Sequence, residues 1–442
     1  MISAAHAGTS RSLLLARLAD ARRRTDGLFN LITPARLSER PIPERHRFVF
    51  YLGHLEAFDW NLLSTRIEGR RPDAELDALF AFGIDPVGGG LPNESASEWP
   101  DITRIRAYNH DVRHAIDSLL PSALDAERFG ERRGETSTAF LVDVAIEHRL
   151  MHAETLAYMI NQSSVARRIR RTFAASAAER PNDLVRIPAG EATLGVDRNV
   201  RAFAWDNEHD AHRVAVPEFA ISRSMIDNAA FLEFVDAGGY ATREWWSDAD
   251  WAWRERNQVS HPAFWVELDR RWFWKSMTEL IPLPLDWPVY VSHAEASAYA
   301  RWAGLALPTE AEWHRAAYGA PDGTERAYPW GDSAPDARRG NFDFRSWEPR
   351  SVDAHRDGDS AFGVRGLVGN GWEWTSTTFA PFAGFEPFPF YPGYSADFFD
   401  GQHYVAKGGS PLTAASMLRR SFRNWFQPHY PYVFAGFRCV ER

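Results

Sequence analysis

Cysteine is almost missing from this 442-residue chain, which has only Cys439. One thiol cannot close an intrachain disulfide, build a cysteine-only zinc site or run dithiol redox chemistry. Lysine is nearly as scarce, since Lys275 and Lys407 are the only two among 50 basic residues. A GC-rich coding sequence alone would produce that bias. No uninterrupted apolar run approaches the roughly 20 residues that span a bilayer. The opening M-I-S-A-A-H-A-G-T-S-R-S has neither the charged start nor the apolar stretch of an export signal. A soluble, cytoplasmic protein with no membrane partner is expected. Basic excess is lacking too: the formal charge is −9, which gives no general attraction to nucleic acid.

What is present is an ordinary globular mix, 45% apolar and 25% charged, which excludes disordered, collagen-like and coiled-coil chains. At roughly 100–200 residues per domain, two or three compact units are expected. Composition places the division near residue 180. Up to that point there are 24 basic and 24 acidic residues, leaving 26 and 35 for the remainder. Of 18 tryptophans, only Trp60 and Trp99 precede it. Two domains of different architecture are therefore expected, at 1–180 and 181–442.

The first part reads as helices. Apolar residues recur at helical spacing from Ser10 to Arg24. After Pro41-Ile42-Pro43, the segment Arg45–Thr65 is apolar on most faces and suits a buried helix. A Gly/Pro-rich loop, I-D-P-V-G-G-G-L-P-N-E, separates it from a third helix over about Asp101–Leu119, and a fourth runs from about Thr136 to Gln162. Four such helices with moderate connections predict an up-down bundle. Residues 163–183, with Arg167, Arg168, Arg170 and Arg171, read as the bundle's end and a linker with a solvated basic face. The second part is dense in Gly, Pro and aromatics, with short strands and helices near Ile226–Ala237, His293–Ala303 and Thr309–Tyr318. It reads as irregular α+β, a scaffold whose loops are free for recognition.

His148 and His152 lie four apart on a predicted helix, so their side chains project about 40° apart on successive turns. His54 sits in the second helix among apolar neighbours, and bundle cores hold metals between facing helices. Three neutral imidazoles would suit Zn(II) hydrolysis or Fe(II) oxygen chemistry. Glu56, Glu147 and Glu154 are alternative carboxylate ligands or partners of the ligands. The same pattern also fits two histidines on a partly exposed face and His54 as a hydrogen-bonded core residue.

The C-terminal part carries L-V-R-I-P-A-G-E-A-T-L-G at Leu184–Gly195, D-N-E-H at Asp206–His209, L-P-T-E-A-E-W at Leu307–Trp313, Y-P-W-G-D at Tyr328–Asp332, G-N-G-W-E-W-T at Gly369–Thr375, K-G-G-S at Lys407–Ser410 and a final G-F-R-C-V. Over nearly its whole length it resembles the formylglycine-generating-enzyme or sulfatase-modifying-factor fold, a C-type-lectin-like architecture. The N-terminal part, through Y-L-G-H-L-E-A-F-D-W-N and E-H-R-L-M-H-A-E-T, resembles a DinB-type bundle. The pairing resembles the EgtB-type sulfoxide synthases of ergothioneine biosynthesis and their ovothiol and selenoneine synthase relatives. That resemblance implies a nonheme Fe(II) held by His54, His148 and His152, with O₂ as co-substrate. It implies an oxidative join between the imidazole C2 of hercynine, the trimethylated betaine of histidine, and a sulfur or selenium donor. Formylglycine generation itself needs a cysteine pair, which this chain does not have.

A trimethylammonium group has no N–H to donate, so aromatic faces are its expected receptor. By resemblance Asn424 binds the hercynine carboxylate and Trp425 lies against its cationic end, although tryptophans this numerous mostly build core. Met151, between the two helix histidines, is a further expected substrate contact. In the branch that uses γ-glutamylcysteine, tyrosines follow the W-E-W-T motif and an acid and an arginine grip the γ-glutamyl group. Here Phe379 and Phe382 occupy the tyrosine stretch, Phe426 and Tyr430 fall where the charged pair would be, and Pro411 follows K-G-G-S. Those departures disfavour γ-glutamylcysteine and leave cysteine or a selenosugar as donor. Tyr391, Tyr394, Tyr430 and Tyr432 are then the candidate proton donors. Two other classes fit parts of the chain: a DinB-type Zn(II) thiol transferase, and a binding protein without catalysis. Nothing sets the oligomeric state, and a monomer is the default expectation.

Overall fold

The computed structural model describes residues 11–67, 69, 73–81, 95, 98–126, 136–164, 167–170, 183–199 and 202–442. They form two units. The first comprises the chain up to Ser164 joined by Ala202 and Phe203, and the second comprises the rest. The expected boundary at 180/181 lies outside the described residues, as do Arg171 and the Gly/Pro-rich loop at 84–94. The division falls earlier because the presumed linker is partly strand. Arg168–Ile169 pairs in parallel with Glu279 and Leu280, and Arg170 makes an ion pair with Glu279. Among the described residues, no helix is long and apolar enough to cross a membrane.

In the first unit, α1 (Arg11–Phe29), α2 (Phe48–Leu63), α4 (Ile102–Ala126) and α5 (Thr138–Gln162) build the bundle, and the short α3 (Ala74–Leu79) packs on α2. Neighbours around the ring run α1, α5, α2, α4 and back to α1. Burial separates their roles. Helix α4 buries only Ile105, Tyr108, Val112, Ile116, Leu120 and Leu124, a single stripe at helical spacing. Helix α2 buries 13 of its 16 residues, and α5 buries 21 of 25. A polar side chain on either of these two has no solvent to turn to and must find a partner inside. The Ser137 hydroxyl starts α5 by accepting from the Phe140 amide at 3.2 Å. Asp73 does the same for α3, a helix too short for its period to be read beforehand.

The second unit holds α6 (Asn228–Asp236), α7 (Asp248–Arg256), α8 (His293–Trp302) and α9 (Glu310–Tyr318) among short strands. Helix α7 was not foreseen. Reciprocal capping by Ser292 with Glu295 and Thr309 with Glu312 starts α8 and α9. One four-stranded sheet orders Asn424–Phe426, Tyr404–Lys407, Trp372–Thr378 and Ala435–Gly436 side by side. Its register sets Val405 opposite Trp425 and Lys407 opposite Glu373. Three of the sequence motifs thus become neighbouring strands.

The motif charges meet in the core of this unit. Glu373 of W-E-W accepts from Trp313 Nε1 at 2.7 Å and from Arg438 Nε and Nη2 at 2.6 and 2.7 Å. Glu310 pairs with Arg423 at 3.0 Å and lies 3.8 Å from Lys407. Glu208 pairs with Arg419 and accepts from Ser421 at 2.7 Å. These carboxylates are all buried, so the motifs act chiefly as a framework. Cys439 is buried as well. Burial pushes its thiol up and out of the reactive range.

Candidate metal centre and aromatic recognition site

Helix α2 supplies His54, and α5 supplies His148 and His152. Their ligand nitrogens all lie within 4.8 Å of one another. The three are 3%, 2% and 2% exposed, so ordinary solvated histidines on a helix face are excluded. His54 Nδ1 lies 2.7 Å from the Phe80 carbonyl. A carbonyl only accepts, so this nitrogen carries the proton and Nε2 presents its lone pair. That Nε2 is buried and has no hydrogen-bond partner among the described residues. His148 and His152 bring their Nε2 atoms to 3.1 Å. Ligand nitrogens about 2.1 Å from one ion and at right angles would stand about 3 Å apart.

Burial pulls all three imidazoles toward the neutral form. It takes His54 to about 4, against the bond to Phe80. It takes His148 and His152 well below their ordinary value, assisted by neighbouring imidazoles and Arg149. Neutral imidazoles are the ligand form. An all-nitrogen donor set suits zinc, iron, nickel or copper rather than calcium or magnesium. An orphaned ring nitrogen aimed at two others is what a divalent transition-metal ion would complete, so the residues fit such an ion.

Aromatic packing holds the rings in place. Phe58 stacks on His148 with centroids 3.5 Å apart and planes 12° from parallel. Phe50 stacks on His54 at 4.8 Å. Gly53 lets Phe80 approach, because a Cβ at this position would stand 2.4 Å from the Phe80 ring. The backbone whose carbonyl orients His54 therefore depends on the absence of a side chain one residue earlier. Glu56, an alternative ligand in the sequence reading, turns away to Arg149 and Arg113. Two residues from His54 is about 200° around the helix, so both cannot face one point. Neither Glu147 nor Glu154 belongs to the cluster of converging ligand atoms. Met151 is half-buried on α5.

In the second unit, Asn424, Trp425 and Phe426 occupy one half-buried strand. Phe379, 1% exposed, stacks on Trp425 at 4.2 Å and 6°. Tyr394 meets Trp425 edge-on at 5.5 Å, backed by Trp205 at 3.9 Å. Tyr391 touches Tyr394. Phe426 stacks with Tyr430 at 6.0 Å, and Tyr430 meets Tyr432. Phe382 stands apart from Trp425, under the Arg423 guanidinium at 4.1 Å. Arg423 also covers Phe379 at 4.9 Å. Of the expected recognition residues, Phe379, Tyr394 and Trp425 thus form one cluster, and Phe426 and Tyr430 a second beside it. Sequence reasoning missed Phe58, Phe80, Arg149 and Arg423. For Phe58 a signal existed, since it lies four residues after His54 on the same helix.

Comparison with known proteins agrees with both halves. Residues 170–442 match the model of the sulfatase-modifying factor enzyme 1-like domain, and residues 17–156 match the DinB superfamily. A hercynine oxygenase of Mycolicibacterium thermoresistibile is 35% identical, with 97% of this chain and 95% of the relative covered. Ergothioneine biosynthesis protein 1 of Neurospora crassa is 27% identical across 92% of this chain but 55% of its own length. A formylglycine-generating enzyme of Mycobacterium tuberculosis is 30% identical and covers 58% of this chain and 97% of the relative. With both domain types present and a hercynine oxygenase matched over nearly its full length, the chain belongs to the EgtB-type family of two-domain ergothioneine-biosynthesis enzymes.

Proposed function

We propose that this protein is an O₂-dependent nonheme iron oxidoreductase that joins the imidazole C2 of hercynine to a sulfur or selenium donor. The observation that carries this reading is the convergence of His54, His148 and His152 as buried, neutral imidazoles in a chain related to hercynine oxygenases. Iron bound there would supply a Lewis-acidic and redox-active centre for O₂ and the donor atom. Three neutral ligands leave the ion's charge uncompensated, which favours an anionic thiolate or selenolate.

In this reading Trp425, braced by Phe379, offers the betaine an aromatic surface, and Asn424 holds its carboxylate. Phe379 cannot donate a proton. Tyr394 is the tyrosine that contacts Trp425 and is the first candidate, with Tyr391 and Tyr430 behind it. Phe426 and Tyr430 stack as two uncharged rings and give a γ-glutamyl group no ionic grip. The donor is then cysteine, giving a hercynyl sulfoxide, or a selenosugar, giving a selenoneine precursor. The test is to load the apoprotein with Fe(II) anaerobically and offer hercynine with cysteine, γ-glutamylcysteine or a selenosugar. O₂ is then admitted and products are read by mass spectrometry. Absence of any hercynine-derived product in every arm rejects the reading, and preference for γ-glutamylcysteine rejects the donor assignment. Nitrogen-only ligands also suit Zn(II). Tight zinc with O₂-independent thiol transfer would replace this reading with the transferase one.

A further inference from the structure

Arg149 follows a candidate metal ligand directly, yet it is 0% exposed and carries a full charge inside the bundle. It donates to both carboxylate oxygens of Glu56 at 3.0 Å, to Asp59 at 2.6 Å and to the Leu55 carbonyl at 2.9 Å. Glu56 also accepts from Arg113 of α4 at 2.6 Å, and Arg113 grips Asp26 of α1 at 2.7 and 2.8 Å. One continuous ionic chain therefore takes a side chain from each of the four bundle helices. It reaches full burial where α2 crosses α5, the two helices that carry the histidines.

A buried ion pair adds little net stability, because desolvation offsets its attraction, but its geometry tolerates few alternatives. Glu56 lies about 3 Å of helical rise from His54, and Arg149 about 1.5 Å from His148. A one-residue slip of either helix would break the two-pronged Arg149–Glu56 contact and move the histidines apart by the same step. Packing such as Phe58 of α2 stacked on His148 of α5 also resists such a slip, and the ionic contact adds a directional constraint that apolar side chains lack. We propose that Arg149 and Glu56 are positioning residues that set the register of α2 against α5 and so pre-form the three-histidine site before any metal binds. The inference rests on the metal reading of that site.

The test uses the full-length apoprotein, titrated anaerobically with Co(II) and followed by Co(II) absorption and thermal unfolding. Glu56→Gln, close to isosteric, and Arg149→Met should each weaken Co(II) binding at least tenfold and alter its absorption spectrum. Leu124→Ala, in the last turn of α4, should lower the melting temperature and leave Co(II) affinity within twofold. A folded Glu56→Gln or Arg149→Met protein whose affinity falls less than fivefold overturns the proposal. So does an equal loss in Leu124→Ala, which would mean that general destabilisation is the cause. Wild-type hydrogen exchange gives a second measure that needs no variant. In the metal-free protein the slowest amides of α2 and α5 should be protected to within about tenfold of what its global unfolding free energy allows, and much weaker protection means that the metal assembles the site. If wild-type protein takes up no Co(II), the metal reading itself fails.

Discussion

The two units bury charge differently, one in a single network and the other in separate pairs. In the bundle, one ionic chain crosses four regular helices and takes one or two residues from each. In the second unit, three buried carboxylates each form a separate pair with an arginine of the C-terminal stretch: Glu373 with Arg438, Glu310 with Arg423, Glu208 with Arg419. Helical period already places His148 and His152 on one side of α5, so the ions there need only adjust how helices align. Short strands and loops have no such period, and the ion pairs replace it. This is why the chemistry of the bundle lies in its polar exceptions. In the second unit the charged motifs are framework, and the candidate site is the aromatic strand beside them.

That contrast is broken most directly at the histidines. His152→Ala should leave the bundle folded yet lower metal occupancy and turnover by more than about a hundredfold, since even partners of metal ligands are worth 10–100-fold. Metal analysis with circular dichroism checks it. Retained activity would show that the bundle is only a scaffold. The converse variant is Glu373→Gln, which strips Arg438 of its buried counter-charge. A stability loss of about 3–5 kcal/mol is expected, read by urea unfolding, with metal content unchanged once the protein is folded.

Asp206 tests the second unit by pH. Burial raises its carboxyl from 3.8 to about 6, against hydrogen bonds from Ser395 and the Asn207 amide. In the folded state the proton is thus held to higher pH than in the unfolded chain. Its stabilisation is complete below about 3.8 and is lost as pH rises through about 6. Over that window the wild type should lose up to about 3 kcal/mol relative to Asp206→Asn, measured as the difference between their denaturation curves. A constant difference would mean that Asp206 ionises normally. Gly53→Ala returns to the bundle with a smaller effect. Alanine favours a helix by about 1 kcal/mol over glycine, but its Cβ would strike Phe80. Metal affinity should fall roughly tenfold as the His54 partner is displaced, whereas improved affinity would show that propensity wins.

Much of this was legible beforehand because periodicity is local. The apolar surround of His54 and the four-residue spacing of His148 and His152 announced both helices and their shared face. The ionic chain was not legible. Arg113 and Asp26 look like solvated charges until the topology sets three helices side by side, Glu56 looks like an alternative metal ligand, and Arg149 looks like a break in an apolar run. Phe80 could not be linked to His54, because the link is a backbone carbonyl 26 residues away. In the second unit the motifs announced the fold but not their own role. Nothing in W-E-W-T says that its glutamate points to Arg438 rather than to a ligand. Helix α7, nine residues long, is too short for its weak apolar pattern to stand out.

The smallest expected effect concerns Trp425, and it separates recognition from packing. Trp425 stacks on buried Phe379, so trimming it could weaken substrate binding merely by loosening the strand. A cation over an aromatic face contributes about 1 kcal/mol at a partly exposed site, or roughly fivefold in affinity. Leucine fills much of the same space without a π face. Trp425→Leu should therefore raise the half-saturating concentration of hercynine about fivefold and leave metal affinity alone. The decisive comparison is with histidine, which has the same imidazole and carboxylate but lacks the trimethylammonium group. If the ring binds the cation, the variant loses discrimination between the two, and Trp425→Phe restores most of it. If the ring only packs, both ligands weaken together and their ratio stays at the wild-type value.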